Sequence, residues 1–401
     1  MRITFVHRHF WPEPLTYALM LRHICLALAA QGHEVSVVSV RTAKTQRPDD
    51  STELAGVRVL RITLLPEQKH QWLRRLLNTA WYLLAASAIV ALGRRADVVV
   101  AATTPPVLPA WLMSTICRVR RMHFVYHYQD LHPESLSLIG AIRPSWLLSA
   151  LSVLDRVSTR RAVRRVVLSN DMGRALQSRP RCGELDYTVL NNFDPGEVEA
   201  PTDADTPVQL PGAGIRVLFA GNLGLFQGLE EVIDAFTALG EQREVCLILL
   251  GDGALRSRLI QRAGACLGKT VFFLDRCTPE QAKRVMRAAD LGLVSLSPGV
   301  IRYAYPSKVM TYLDAGLPLL AVVEPQSELG RMIVDVGIGH VCAPGSAEHL
   351  VQTLKVIAEK RVPCEDMRGR CRAIATERFH REQALRRWVD LFADVETGRA
   401  R

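Results

Sequence analysis

The sequence predicts an α/β chain of two Rossmann-like, doubly wound domains facing a central cleft. Three observations carry that expectation. Short β-branched runs alternate with helix-like segments, a Pro-, Asp- and Thr-rich stretch without apolar periodicity interrupts them once, and the alternation then begins again. A chain of 401 residues with 48% hydrophobic content has the length for two cores at ~100–200 residues per domain.

Met1-Arg2-Ile3-Thr4-Phe5-Val6 opens on a strand; Leu21, Ile24 and Leu28 then recur at helical spacing until Gln31-Gly32, and Val35, Val37 and Val38 form the next strand. The unit returns at Val98-Val99-Val100-Ala101 and His123-Phe124-Val125-Tyr126-His127, as in a parallel sheet covered on both faces. This gives a first domain over residues 1–198 and a linker over 199–214. A second domain over 215–378 places strands at 215–220, 245–250, 271–274, 291–296 and 318–323. Residues 379–401 read as a helix packing back toward the first domain.

Fifty Lys and Arg against forty Asp and Glu leave a formal charge of +10, which favours phosphates, nucleic acid or an anionic membrane surface as partners. Nine cysteines are scattered without a Cys-x-x-Cys pair or zinc spacing, so they read as reduced, mostly buried thiols with no metal site. The N-terminus lacks the apolar core and cleavage site of a signal peptide, which points to the cytoplasm. The most apolar stretch, 76–92, holds Asn78, Thr79 and Ser87 and falls short of the ~20 residues that span a bilayer. It reads as a buried or interfacial helix. Leu147, Leu148, Leu151 and Leu154 run on into Arg156, Arg160, Arg161, Arg164 and Arg165, a basic amphipathic helix that either rests on anionic lipid or forms a solvated face.

Four segments carry candidate chemistry. Gly221-Asn222-Leu223-Gly224-Leu225-Phe226-Gln227-Gly228 follows a strand and precedes a helix, so its glycines let backbone N–H groups approach an anion; the alternative is a tight turn without a ligand. Gly264-Ala265-Cys266-Leu267-Gly268-Lys269-Thr270 runs into a strand rather than a helix, which excludes a P-loop. Lys308 stands just inside a helix opened by Pro306-Ser307, where an ammonium is unfavourable unless an anion lies between it and the helix N–H groups. Tyr126-His127-Tyr128-Gln129-Asp130-Leu131-His132-Pro133-Glu134 concentrates proton acceptors at a strand end, with Asp130 either a base or a helix cap.

Together Gly32-His33-Glu34-Val35, Gln129-Asp130-Leu131-His132-Pro133-Glu134, Gly221-Asn222-Leu223-Gly224, Gly251-Asp252-Gly253, Ala289-Asp290-Leu291, Pro306-Ser307-Lys308 and Ala315-Gly316-Leu317-Pro318 resemble the retaining GT-B glycosyltransferases of family 4, most of all the colanic-acid and O-antigen branch. The resemblance implies a nucleotide-sugar donor, most often a UDP-sugar, and retention at the anomeric carbon. It implies neither metal nor cofactor, no nucleic acid, a polyprenyl-diphosphate-linked saccharide acceptor and a peripheral seat on the inner leaflet. It puts Gly221, Asn222, Gln227, Ser307 and Lys308 at the donor, Lys308 and Asp130 in catalysis, and His127, His132 and Glu134 on the acceptor side. Tyr303 and Thr311 stand where many relatives carry a pair of glutamates, and Trp11-Pro12-Glu13-Pro14-Leu15-Thr16 replaces a loop that often holds a glycine pair, so those contacts do not transfer. An epimerase of the same fold and a non-catalytic membrane partner of another transferase are the competing expectations.

Overall fold

The computed structural model describes residues 1–13, 15–41, 53–66, 71–138, 140, 142, 144–196, 208–240, 244–360 and 365–398, so residues 199–207 of the expected linker lie outside the described residues. The chain divides into two compact units: Met1–Pro195 with Tyr303–Tyr305 and Arg381–Arg401, and Gly196–Arg302 with Pro306–His380.

The first unit is built on β1 (Arg2–Val6), α1 (Thr16–Ala30), β2 (Glu34–Arg41), β3 (Glu53–Leu54), β4 (Val57–Thr63), α2 (Trp72–Leu92), β5 (Val98–Ala102), α3 (Leu108–Arg120), β6 (His123–His127), α4 (Glu134–Leu138), α5 (Ser145–Arg161), β7 (Arg164–Val167), α6 (Asn170–Gln177) and β8 (Thr188–Val189). Its sheet runs β3-β4-β2-β1-β5-β6-β7-β8, parallel except for the β3–β4 pair. Every residue of β5 is buried, which is why Val98-Val99-Val100 reads as a continuous apolar run rather than an alternating one. Helix α1 ends where Gly32 takes φ +81, a left-handed turn that glycine adopts without strain.

One helix boundary corrects the sequence reading. Arg164 and Arg165 do not extend the basic helix, because α5 stops at Arg161 and both lie in β7. Ala162 turns extended, and the buried Arg165 guanidinium donates to the carbonyls of Thr159 and Ala162, capping the helix it was expected to prolong.

The second unit follows the same logic with β9 (Ile215–Ala220), α7 (Leu229–Ala238), β10 (Val245–Leu250), α8 (Arg256–Ala263), β11 (Val271–Leu274), α9 (Pro279–Ala288), β12 (Leu291–Ser295), α10 (Lys308–Asp314), β13 (Leu319–Val322), α11 (Glu328–Val336), β14 (Gly339–Cys342), α12 (Ala347–Lys360) and α13 (Glu365–Arg378). The six parallel strands are ordered β11-β10-β9-β12-β13-β14, so neighbouring strands on either side of β9 diverge in connection and place a topological switch point at its carboxyl end. The last helix, α14 (Arg381–Glu396), belongs to the first unit, where Trp388, Leu391, Phe392 and Val395 join the core around Ile3 and Phe5.

Candidate functional site

In the second unit, Lys308 is the first residue of α10, and its side chain reaches to the end of β9. Its Nζ lies 4.4 Å from the centroid of the Phe219 ring, and a Cβ placed on Gly221 would meet Lys308 Cε at 2.9 Å and Nζ at 3.3 Å. The half-buried ammonium thus lies between an aromatic face and a bare Cα. Burial lowers its pKa from the ordinary lysine value to about 8. Among the described residues no carboxylate pairs with it. A desolvated cation held over a π face but lacking an anion is a place where a phosphate gains more than it would in water.

Tyr312, one helical turn after Lys308, fixes this placement. Pairing of β9 with β12 is registered at Val217 and Leu218, and beyond it the Ala220 N–H donates to the Tyr312 hydroxyl at 2.8 Å. A side chain at Gly292 would strike the Tyr312 ring at 2.6 Å, so that glycine makes room for the tyrosine pinning α10 to the sheet. Neither Phe219 nor Tyr312 stood out in the sequence; the i, i+4 spacing of Lys308 and Tyr312 was the available signal.

The glycine turn after β9 departs from the expected phosphate cradle. The Gly221 N–H donates to Leu250 O at 2.9 Å, the Leu223 N–H to Asp252 O at 2.9 Å, and the Gly224 N–H to the Gln227 side chain at 3.0 Å. Gly221 therefore contributes space and its N–H is not free for an anion in this conformation, while Gln227 braces the turn through its Oε1. The physical reason is close stacking of two turns: a Cβ on Gly251 would sit 2.1 Å from Gly221 O, and one on Gly253 2.3 Å from Leu223 O. A short 3₁₀ turn, Leu225–Gln227, also separates the glycines from α7. Asn222 stays exposed, and Ser307 precedes α10 without a side-chain capping bond. Gly264 likewise closes α8 ahead of β11, as a helix-to-strand turn should.

Glu324, just past β13, was not singled out from the sequence. One carboxylate oxygen accepts from the Gly299 N–H at 2.6 Å, while Oε2 is buried without a partner among the described residues. Its signal was an acid at the carboxyl end of an apolar strand.

In the first unit, the end of β6 carries the expected proton-transfer loop. The backbone N–H groups of Gln129 and Asp130 both donate to Thr103 Oγ1 at 3.2 Å, and Asp130 pairs as an isolated bridge with Ala304. Burial pushes the Asp130 carboxyl up to about 6. No hydrogen bond to its carboxylate is found among the described residues, so it does not cap a helix.

The three neighbours expected on the acceptor side do other work. His127 is buried, with Nδ1 2.9 Å from the Tyr17 hydroxyl and Nε2 2.9 Å from Gln129 Nε2; desolvation, then nearby His7, lower its pKa to about 3, so it is neutral and fully bonded. His132 is buried against Ser135 Oγ at 2.7 Å, and burial takes it down to about 4. Glu134 receives Arg179 in a two-pronged pair at 2.8 and 2.6 Å, and the same guanidinium holds the buried Asp155 at 2.6 Å. His132 and Glu134 thus brace the loop that displays Asp130. A residue not foreseen as a participant, Glu13 after β1, is buried with Oε2 2.8 Å from His9 Nδ1 and with Oε1 lacking a partner among the described residues.

Among the described residues no group of three or more His, Cys, Asp or Glu side chains converges to hold a metal ion. Two Rossmann-like units, the second with a desolvated lysine at its switch point, define the doubly wound α/β class. Residues 16–185 match the model of the glycosyl transferase 4-like domain and residues 204–378 that of the glycosyl transferases group 1. The chain belongs to the GT-B glycosyltransferases of family-4 type. It is 28% identical over 276 residues to the probable glycosyltransferase WbjE of Pseudomonas aeruginosa, covering 67% of each chain. It is 23% identical over 351 residues to the putative colanic acid biosynthesis glycosyl transferase WcaI of Escherichia coli strain K12, covering 82% of this chain and 85% of that one. In fold it resembles the sucrose-phosphate synthase of Thermosynechococcus elongatus, with TM-score 0.74, 15% identity and coverage of 99% and 100% of the two chains. It likewise resembles HepE of Anabaena in complex with UDP-glucose, with TM-score 0.65, 18% identity and coverage of 98% and 100%.

Proposed function

We propose that this glycosyltransferase moves a sugar from a nucleoside diphosphate, UDP in the first instance, to a polyprenyl-diphosphate-linked saccharide, with retention, in the synthesis of a bacterial surface polysaccharide. The observation that carries the reading is the desolvated Lys308 ammonium over Phe219 without a carboxylate. As the bond between the anomeric carbon and the β-phosphate oxygen breaks, negative charge grows on the departing diphosphate, and a fixed cation there favours the transition state over the bound donor. The acceptor hydroxyl forms the new bond to that carbon on the face the diphosphate leaves, and its proton passes to Asp130. Ser307 and Asn222 add hydrogen bonds to the donor, and Glu324 Oε2 takes a donor hydroxyl. Charge neutralisation is assigned to Lys308, and no divalent ion is invoked. The UDP-glucose bound to HepE and the colanic-acid role in the name of WcaI support donor and pathway class.

The test is release of nucleoside diphosphate from a panel of nucleotide sugars, with and without saccharide acceptor. Acceptor-dependent release that Lys308→Ala abolishes is the expected result. Conversion of the donor with no acceptor, followed by NMR, would instead mark an epimerase, and absence of any nucleotide binding in calorimetry would mark a non-catalytic partner.

A further inference from the structure

The loop between β1 and α1 holds no glycine, and its fold centres on His9. In the first unit the strand order runs outward from β1 in both directions, through β2 on one side and β5 on the other, so the switch point of this sheet lies at the carboxyl end of β1. The ladder with β2 outlasts the strand: the His7 N–H donates to Val38 O at 3.1 Å and the Val40 N–H to Arg8 O at 3.0 Å. His9 is the next residue, and it stands where open α/β sheets take their ligands. Its surroundings are braced. Burial lowers the His7 pKa to about 4, so that ring is neutral, and its Nδ1 lies 2.6 Å from His9 O. Phe10 is fully buried, the Trp11 carbonyl accepts from Arg61 at 2.7 Å, and the Arg22 guanidinium lies 5.1 Å from the centroid of the Trp11 ring. The Glu13 N–H then donates to Phe10 O at 3.1 Å, closing a turn that returns the Glu13 carboxylate to His9.

Glu13 fixes the ring. Its Oε2 lies 2.8 Å from His9 Nδ1, with the glutamate side chain 8% and the histidine side chain 31% exposed. A carboxylate on Nδ1 keeps the proton there and leaves Nε2 as the working nitrogen, a hydrogen-bond acceptor on the neutral ring. That Nε2 makes no hydrogen bond among the described residues, whereas His127 is bonded through both nitrogens and His132 is buried against Ser135. Glu13 Oε1 is buried without a partner among the described residues. Such a carboxylate costs stability that a neutral side chain closing the same turn would not, so its charge on the imidazole, not the brace alone, is what this loop is built to supply. The same edge of the same sheet carries Asp130. Thr103, which holds the Asp130 backbone, follows β5, and β5 alone separates β1 from β6. The two strands thus lie about 10 Å apart, a span that a hexopyranose with a hydrogen bond at each end fills.

We propose that His9, held by Glu13, binds a hydroxyl of the acceptor saccharide through Nε2 and so turns the reacting hydroxyl toward Asp130. The proposal rests on the reading of the chain as a glycosyltransferase with a saccharide acceptor, and it names the residue that fills the acceptor-side place left by His127, His132 and Glu134.

The test compares His9→Asn with His9→Gln in the full chain, using UDP-glucose and UDP-N-acetylglucosamine as donors and the octyl glycosides of glucose, galactose and N-acetylglucosamine as acceptors. Asparagine keeps a donor to Glu13 in place of Nδ1 and deletes Nε2; glutamine restores an amide near the Nε2 position. For His9→Asn the acceptor KM should rise ~10–100-fold, with donor KM, UDP affinity by calorimetry and melting temperature unchanged, and His9→Gln should return to within ~5-fold of the parent. Glu13→Gln, which lets the ring take either tautomer, should raise the acceptor KM ~3–10-fold. In NMR spectra of the imidazole nitrogens, the His9 Nε2 resonance, identified by its loss in His9→Asn, should move when an octyl glycoside is added and hold still when UDP is added. An unchanged acceptor KM in His9→Asn overturns the proposal, as does an equal rise of donor and acceptor KM with a lower melting temperature, the mark of a turn brace. A parent that binds no UDP, or releases it without regard to acceptor, overturns the transferase reading and this assignment with it. Acceptor-dependent release beside an unmoved His9 resonance overturns the assignment alone.

Discussion

The Lys308 ammonium lies 4.4 Å from the centroid of the Phe219 ring, on the bare side of Gly221. Lys308→Met keeps most of the stem volume and removes the charge. Nucleoside diphosphate affinity should fall ~10–100-fold and kcat ~10²–10³-fold, the range seen when one preorganised electrostatic group is lost. The fold should not suffer. With a folded pKa of about 8, below the ordinary lysine value, charge in this position costs stability at pH 7, a cost relieved only as pH rises past 8. Calorimetric nucleotide titration beside thermal unfolding checks both halves, and a lower melting temperature with unchanged affinity would reject the assignment.

Gly221→Ala tests the space rather than the charge. The new Cβ would lie 2.9 Å from Lys308 Cε, and the backbone at φ +135 disfavours any side chain. Lysine can swing aside, so we expect ~10-fold weaker nucleotide binding together with a stability loss of ~1–3 kcal/mol from backbone strain. Combining it with Lys308→Met should add nothing to the binding loss, because both act on one ammonium.

Much of this was legible in the sequence, for identifiable reasons. Strands buried on both faces leave unbroken runs such as Val98-Val99-Val100, and Pro306-Ser307 announced the helix that begins at Lys308. Partnerships across long separations were not legible. Phe219 and Tyr312 frame the lysine only because α10 folds back on β9, and Glu134 is taken by an arginine 45 residues away. The glycine turn misled because glycine serves equally to free an N–H for a ligand and to let two backbones touch; Gly221 and Gly251 do the second. Arg164 and Arg165 misled because charge spacing carries no sign of where a helix stops.

The pH dependence follows from two shifts of opposite charge type. In the proposed reaction Asp130, raised to about 6 by burial, would act as a base only when ionised, and Lys308, lowered to about 8, would grip phosphate only when protonated. The kcat/KM profile should therefore be a bell with limbs near 6 and 8, and the alkaline limb should be absent from kcat at saturating donor, because bound diphosphate raises the lysine pKa. Asp130→Asn should erase the acid limb and lower turnover ~10²–10⁴-fold. It should also stabilise the protein at pH 7 by roughly 1–3 kcal/mol, since a carboxyl with a raised folded pKa opposes folding above that pKa and not below the unfolded value.

Arg179 supplies the complementary case of a charge cluster that serves the fold. It holds Asp155 at 2.6 Å and both oxygens of Glu134, and it donates to His132 O at 2.8 Å, while the Tyr126 hydroxyl donates to Asp155 at 2.5 Å. Arg179→Met leaves the 1%-exposed Asp155 without a counter-ion, and we expect a loss of ~3–5 kcal/mol at pH 7 by denaturant unfolding. Burial already pushes the Asp155 carboxyl up, so without arginine the deficit should shrink as pH falls and the carboxyl protonates. Arg179→Met with Asp155→Asn should recover most of the loss. Glu134→Gln should weaken the brace by about 1 kcal/mol yet leave kcat within ~2-fold below the melting transition, because both Glu134 oxygens are held by Arg179. A ~100-fold fall in kcat at unchanged stability would return Glu134 to the reacting groups.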